Sequence, residues 1–237
     1  MAYRRIECPS PNHDARDAPV DMLVLHYTGM KTADEALARL CDPAAKVSAH
    51  YTIDTKGSVY LHVPEARRAW HAGASHWAGR GGVNGCSIGV ELVNPGHEFG
   101  YVPFTDDQIA SLIDLAQGIL SRHAIPPRRV LGHSDVAPSR KTDPGELFPW
   151  PHLAEHGIGL WPPHPSLSPR GGEGARLRVG EGDFAAALAK FGYGVPPAVE
   201  VQLTAVIAAF QRHFRPAKID GVADGECARI LGELLAS

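Results

Sequence analysis

Asp21-Met22-Leu23-Val24-Leu25-His26 is the stretch from which the fold is read. Its apolar residues run continuously rather than in alternation, the pattern of a buried strand. Downstream, Thr32-Ala33-Asp34-Glu35 is a capping box that opens a helix through Leu40. Ala49-His50-Tyr51-Thr52-Ile53-Asp54, a Lys56-Gly57 turn and Ser58-Val59-Tyr60-Leu61-His62-Val63 read as a hairpin. Ser87-Ile88-Gly89-Val90-Glu91-Leu92-Val93 is a further strand, with one carboxylate in apolar company. Thr105-Asp106-Asp107-Gln108 caps a second helix, whose stripe is Ile109, Leu112, Ile113, Ala116, Ile119 and Leu120. Pro126-Pro127 stops it ahead of the strand-like Arg129-Val130-Leu131. Strands and helices that alternate irregularly predict an α/β fold, a central mixed β-sheet flanked by helices. Upstream, residues 1–20 are polar and carry Pro9, Pro11 and Pro19, and are expected to run extended over the surface.

After Trp161 the composition changes. Residues 162–180 are rich in proline and glycine and read as a linker. Three amphipathic helices follow. Asp183 is placed to cap the first, with Phe184, Leu188 and Phe191 on one face. The second carries Leu203, Val206, Ile207, Phe210 and Phe214; the third opens at Asp224 and turns Cys227, Ile230, Leu231, Leu234 and Leu235 inward. The expected organisation is a first domain over 1–161, a linker over 162–180 and a small three-helix domain over 181–237. At 237 residues and 44% hydrophobic content the chain suits one medium domain and one small one. A net charge of −3 gives no reason to expect nucleic acid as a partner, and no protein partner is evident. No apolar run is long enough to span a bilayer, and Met1 to Pro9 lacks the apolar core of a secretory signal, so a cytoplasmic location is expected. Cys8, Cys41, Cys86 and Cys227 have no paired spacing and read as reduced packing residues.

The chemistry gathers around the end of the first strand and a distant loop. His26 closes the apolar run. Gly132-His133-Ser134-Asp135-Val136-Ala137-Pro138-Ser139-Arg140-Lys141-Thr142-Asp143-Pro144-Gly145 packs an imidazole, a cation and a carboxylate into one loop. Two histidines and an aspartate with room for water are the ligand set of a catalytic zinc site. Singly, each reads as a hydrogen-bonded structural residue, and His50 and His71 remain alternative ligands. His26 and His133 are preferred because each directly follows a strand-like run or a strand-ending turn. Such a site needs a proton acceptor and an oxyanion stabiliser. Glu91, buried on its strand, has the raised pKa that proton shuttling requires, and Lys141 is placed to steady a tetrahedral oxygen. Trp70-His71-Ala72-Gly73 and Trp77 lie in an irregular stretch suited to lining a groove for a sugar ring or a peptide.

His26-Tyr27-Thr28, Ser48-Ala49-His50-Tyr51, Ala69-Trp70-His71-Ala72-Gly73, Ser87-Ile88-Gly89-Val90-Glu91 and the Gly132–Gly145 loop closely resemble the type-2 (AmpD/AmiD-like) zinc N-acetylmuramoyl-L-alanine amidases. The resemblance covers residues 20 to about 161, with the motifs in the family's order. It implies the mixed sheet shared with peptidoglycan recognition proteins. It also implies Zn2+ held by His26, His133 and Asp143, Glu91 as catalytic acid and base, and Lys141 supporting the transition state. Tyr27, Trp70, His71 and Asn84 are the candidate substrate contacts. The implied substrate is a muropeptide or peptidoglycan fragment, cut between N-acetylmuramic or 1,6-anhydro-N-acetylmuramic acid and L-alanine in peptidoglycan recycling. The tail, with Ala209-Phe210-Gln211-Arg212-His213-Phe214 and Asp220-Gly221, resembles a helical peptidoglycan-binding domain. The competing expectation is a muropeptide-binding protein on the same fold without catalysis.

Overall fold

A computed structural model describes residues 3–162, 181–197, 199 and 201–237. The expected linker therefore lies outside the described residues, except for Pro162. The strands are β1 (Arg5–Glu7), β2 (His13–Ala15), β3 (Met22–Tyr27), β4 (Tyr51–Ile53), β5 (Val59–Leu61), β6 (Arg67–Ala69), β7 (His76–Trp77), β8 (Arg80–Gly81), β9 (Ser87–Leu92) and β10 (Val130–Gly132). The helices are α1 (Ala33–Cys41), α2 (Gly96–Phe99), α3 (Asp106–Arg122), α4 (His133–Val136), α5 (Trp150–Glu155), α6 (Glu181–Phe191), α7 (Leu203–Phe214) and α8 (Gly225–Ala236).

Six strands form one mixed sheet in the order β1-β5-β4-β9-β3-β10. β4, β9, β3 and β10 are parallel neighbours, and β5 runs antiparallel to β4. Side chains alternate across a strand, so β3 divides its residues between two cores. Leu23 and Leu25 join Ile88, Val90 and the buried face of α3, which comprises Ile109, Leu112, Ile113, Ala116 and Ile119. Met22 and Val24 join Leu131, Trp77 and the apolar faces of α6, α7 and α8. Burial on both faces is why β3 reads as an unbroken apolar run. The α3 box forms as expected: Thr105 accepts from Gln108 N and the Gln108 side chain returns to Thr105 N.

Two expectations change. The first residues do not merely drape over the surface. Arg5–Glu7 is an edge strand parallel to β5, and Ser10 Oγ and Asn12 Nδ2 donate to carbonyls at Leu40, Asp42 and Val47. These buried donors need partners, and the end of α1 and the segment after it supply them. In the tail, Asp183 lies inside α6 (Glu181–Phe191) rather than at its cap. No described helix is long and apolar enough to cross a membrane.

One ion-pair cluster ties the segment after β5 to the end of α3. Glu65 accepts from Tyr51 Oη at 2.7 Å, Arg122 Nη2 at 2.7 Å and His123 Nε2 at 2.8 Å. Burial alone would raise the carboxyl, but these donors bring it down to about 2. The folded value lies below the unfolded one of about 4.3, so the contribution is present above pH 4–5 and is lost as pH falls through about 2. Because the cluster is partly solvated, Glu65→Gln should cost about 1–2 kcal/mol at neutral pH. Urea midpoints of variant and parent should converge near pH 2.

Candidate metal centre and active site

The site forms where parallel strands end, the usual place for ligands in α/β sheets. His26 is the penultimate residue of β3. Register sets Glu91 of β9 directly opposite it, so both side chains leave the same face. β10 delivers the chain to His133, the first residue of α4, and the following loop returns to bring Asp143 alongside.

His26 Nδ1 and His133 Nδ1 lie 3.0 Å apart, and each lies 3.1 Å from Asp143 Oδ2. The three side chains belong to residues only 1%, 4% and 5% exposed. The ring protons can be placed by following the hydrogen bonds behind them. Ser87 Oγ donates to the Val83 carbonyl at 2.7 Å, so it accepts from His71 Nε2 at 3.1 Å. His71 Nδ1 is then an acceptor and takes the proton of His26 Nε2 at 3.0 Å. His133 Nε2 donates to the Ala72 carbonyl at 3.1 Å. Both Nδ1 atoms are left with bare lone pairs aimed at a carboxylate oxygen. Three buried acceptors with no donor among them call for a cation. Two nitrogens and one oxygen, with donors fixed behind the rings, are the donor set zinc takes. Burial, reinforced by His133, pushes His26 down to about 4, which keeps it neutral.

Glu91 lies at the edge of this cluster. Its Oε2 is buried and has no hydrogen-bond partner among the described residues. Burial, and then the Asp143 charge, raise its pKa well above the ordinary glutamate value, with Lys141 opposing. A cleft of about 480 Å³ opens over the cluster, bordered by Tyr27, Trp70, Glu91, His133 and Lys141. Tyr27 Oη bonds His97 Nδ1 at 2.9 Å and Thr142 Oγ1 at 3.1 Å, and Trp70 Nε1 donates to Asp14 at 2.6 Å.

The other two expected substrate contacts serve the scaffold. His71 borders the cleft, but both its ring nitrogens are engaged, and its ring packs over Gly89. A Cβ on Gly89 would fall 2.4 Å from that ring, so only glycine fits there. Asn84 Oδ1 accepts from the backbone of His71 and Ala72 and fixes the loop behind His26. His50, the other alternative ligand, is spent on the backbone: its Nδ1 accepts from Gly89 N and its Nε2 contacts Arg67 O. Trp77, 1% exposed, lines no groove and packs edge-on against Phe191 and Tyr193.

Sequence reasoning gave Asp135 no role. It is fully buried two residues after His133. Its carboxylate accepts from Gly132 N at 2.7 Å, Tyr193 Oη at 2.6 Å and His213 Nδ1 at 2.7 Å. His213 also stacks on Trp150 at 3.7 Å. The three-helix tail thus grips the loop that carries a proposed ligand. No local pattern announces this, since Tyr193 and His213 lie 58 and 78 positions from Asp135 along the chain.

Comparison with known proteins agrees with this geometry. The description of the family N-acetylmuramoyl-L-alanine amidase matches residues 16–146. The N-acetylmuramoyl-L-alanine amidase AmiD of Escherichia coli K12 is 40% identical over 230 residues, 91% of this chain and 82% of the relative. Its structure in complex with anhydro-N-acetylmuramic acid-L-Ala-D-gamma-Glu-L-Lys gives a TM-score of 0.80 at 38% identity, covering 94% of this chain and 92% of that one. AmpDh3 of Pseudomonas aeruginosa, in complex with anhydromuramic pentapeptide, gives 0.76 at 35% identity over 90% of both chains. The 1,6-anhydro-N-acetylmuramyl-L-alanine amidase AmpD of Enterobacter cloacae is 35% identical over 161 residues, 60% of this chain and 84% of the relative.

Proposed function

The chain belongs to the N-acetylmuramoyl-L-alanine amidase family, and from that membership we propose that it hydrolyses the amide between N-acetylmuramic acid, ordinary or 1,6-anhydro, and the L-alanine of the stem peptide. The observation that carries the reading is the meeting of three buried acceptor atoms beside an unpartnered glutamate oxygen.

His26, His133 and Asp143 would hold Zn2+, which when bound activates water at neutral pH and polarises a carbonyl. The remaining work falls to the chain itself. Glu91 takes the proton of the attacking water at Oε2 and returns it to the alanine nitrogen as that group leaves. Its raised pKa suits both halves of the transfer, a contribution typically of 10²–10⁴ in rate. The Lys141 ammonium faces the same cleft and stabilises the charge that develops on the former carbonyl oxygen. Tyr27 and Trp70 flank the cleft and orient the muramic acid and the first residues of the stem.

Support for a small anhydromuropeptide substrate comes from the names of the AmpD relatives and from the ligands in the AmiD and AmpDh3 complexes. We infer a role in peptidoglycan recycling, in a cytoplasmic setting where such fragments rather than polymeric wall are met. Incubation with a purified anhydromuropeptide should release free stem peptide. A chelator should stop the release and added zinc restore it. Binding without cleavage would instead favour a muropeptide-binding protein. Faster turnover of intact sacculi than of the monomeric fragment would overturn the recycling role.

A further inference from the structure

Cys8 and Cys41 lie 33 positions apart in sequence, yet their Sγ atoms are 3.2 Å apart, in contact. Cys8 follows the edge strand β1, and Cys41 is the last residue of α1. Both are partly exposed and both are free thiols. Buried His62 completes a cluster, with Nδ1 3.7 Å from Cys41 Sγ. Two sulfurs and an imidazole admit two chemistries, a soft metal site or a disulfide.

The position of the His62 proton decides between them. Its Nδ1 lies 2.7 Å from the Cys8 carbonyl oxygen, which can only accept, so Nδ1 carries the hydrogen. Nε2 accepts from the Thr52 hydroxyl at 2.9 Å. No imidazole lone pair faces the sulfurs, and a metal would be left with two ligands. We propose that Cys8 and Cys41 form a reversible disulfide. The two Sγ atoms need to close by only about 1 Å to reach a bond of about 2.05 Å, within reach of small side-chain rotations.

The oxidant is a low-molecular-weight disulfide such as oxidised glutathione. One cysteine, as thiolate, attacks it and releases one small thiol, giving a mixed disulfide. The second cysteine then attacks the protein sulfur and releases the other small thiol. Two protein thiols become one S–S bond, and the oxidant is reduced to two thiols that carry the protons. The bond ties the edge of the sheet to α1, whose Ala36, Arg39 and Leu40 border the cleft. It closes a long loop, the case in which a cross-link most restricts the unfolded chain.

The test equilibrates the full-length protein in glutathione buffers from reducing to oxidising, traps thiols by alkylation and maps peptides by mass spectrometry. The expected result is the loss of two of the four thiols, a Cys8–Cys41 cross-linked peptide and a Tm raised by about 5–10 °C. Cys8→Ser and Cys41→Ser should each abolish the shift, while Cys86→Ser and Cys227→Ser keep it. Glutathione adducts without a cross-link, or a cross-link elsewhere, would overturn the proposal. So would stabilisation of the reduced protein by added zinc that vanishes in both Cys8→Ser and His62→Ala, since that marks a metal site.

Discussion

Glu91→Gln is expected to lower kcat for anhydromuropeptide hydrolysis by about 10³ while zinc content stays at the parent level. The amide keeps the shape of the side chain but cannot take up a proton, and loss of a positioned acid–base group typically costs 10²–10⁴. Glu91 contributes no atom to the cluster of His26, His133 and Asp143, whose three donor atoms close on one another at 3.0–3.1 Å. Asp143→Ala should behave differently. It removes the one anionic donor and leaves two imidazole lone pairs facing each other in a buried space, so zinc and activity should fall together. Metal analysis of dialysed protein alongside steady-state kinetics separates the two. Equal zinc loss in both variants would refute the division of roles.

Truncation at residue 161 should yield a chain that is not stably folded. Met22, Val24, Trp77, Leu131 and Val136 share a core with Phe184, Leu188, Phe210 and Phe214 of the tail. A fully buried large apolar side chain is worth about 1.5–3 kcal/mol. Even partial exposure of these five approaches the 5–15 kcal/mol by which a domain is stable. The cut would also strip two of the three donors from buried Asp135. Tyr193→Phe tests that grip more gently and should cost about 1–3 kcal/mol, the usual penalty for an abandoned buried acceptor. Circular dichroism melts of both variants provide the measurement. A truncated chain that melts within a few degrees of the parent would show that the tail is dispensable.

What could be read from the sequence follows from how far each signal reaches along the chain. β3 and β9 are legible because burial on both faces leaves an apolar run from Met22 to Leu25 in one and an apolar setting around Glu91 in the other. β1, three residues of alternating exposure in a proline-rich lead, writes almost nothing. Of the proposed ligands, His26 and His133 stand out because one closes a strand-like run and the other follows one, whereas Asp143 stands out only as the carboxylate of the His133 loop. His71 looks no different from them. Only the hydrogen bonds from Ser87 through His71 to His26 reveal that it stands behind a ligand. The meeting of Cys8 with Cys41, and of Asp135 with Tyr193 and His213, depends on tertiary packing, and residue spacing carries no trace of it.

The pairing of His26 with Glu91 across neighbouring strands has an evolutionary consequence. Insertion or loss of one residue inside β9 would turn the carboxyl to the far side of the sheet, into the layer that houses α3. Length changes in that strand should therefore be purged from descendants of this gene far more strictly than changes in the loops around the cleft, even where the altered strand still pairs and folds.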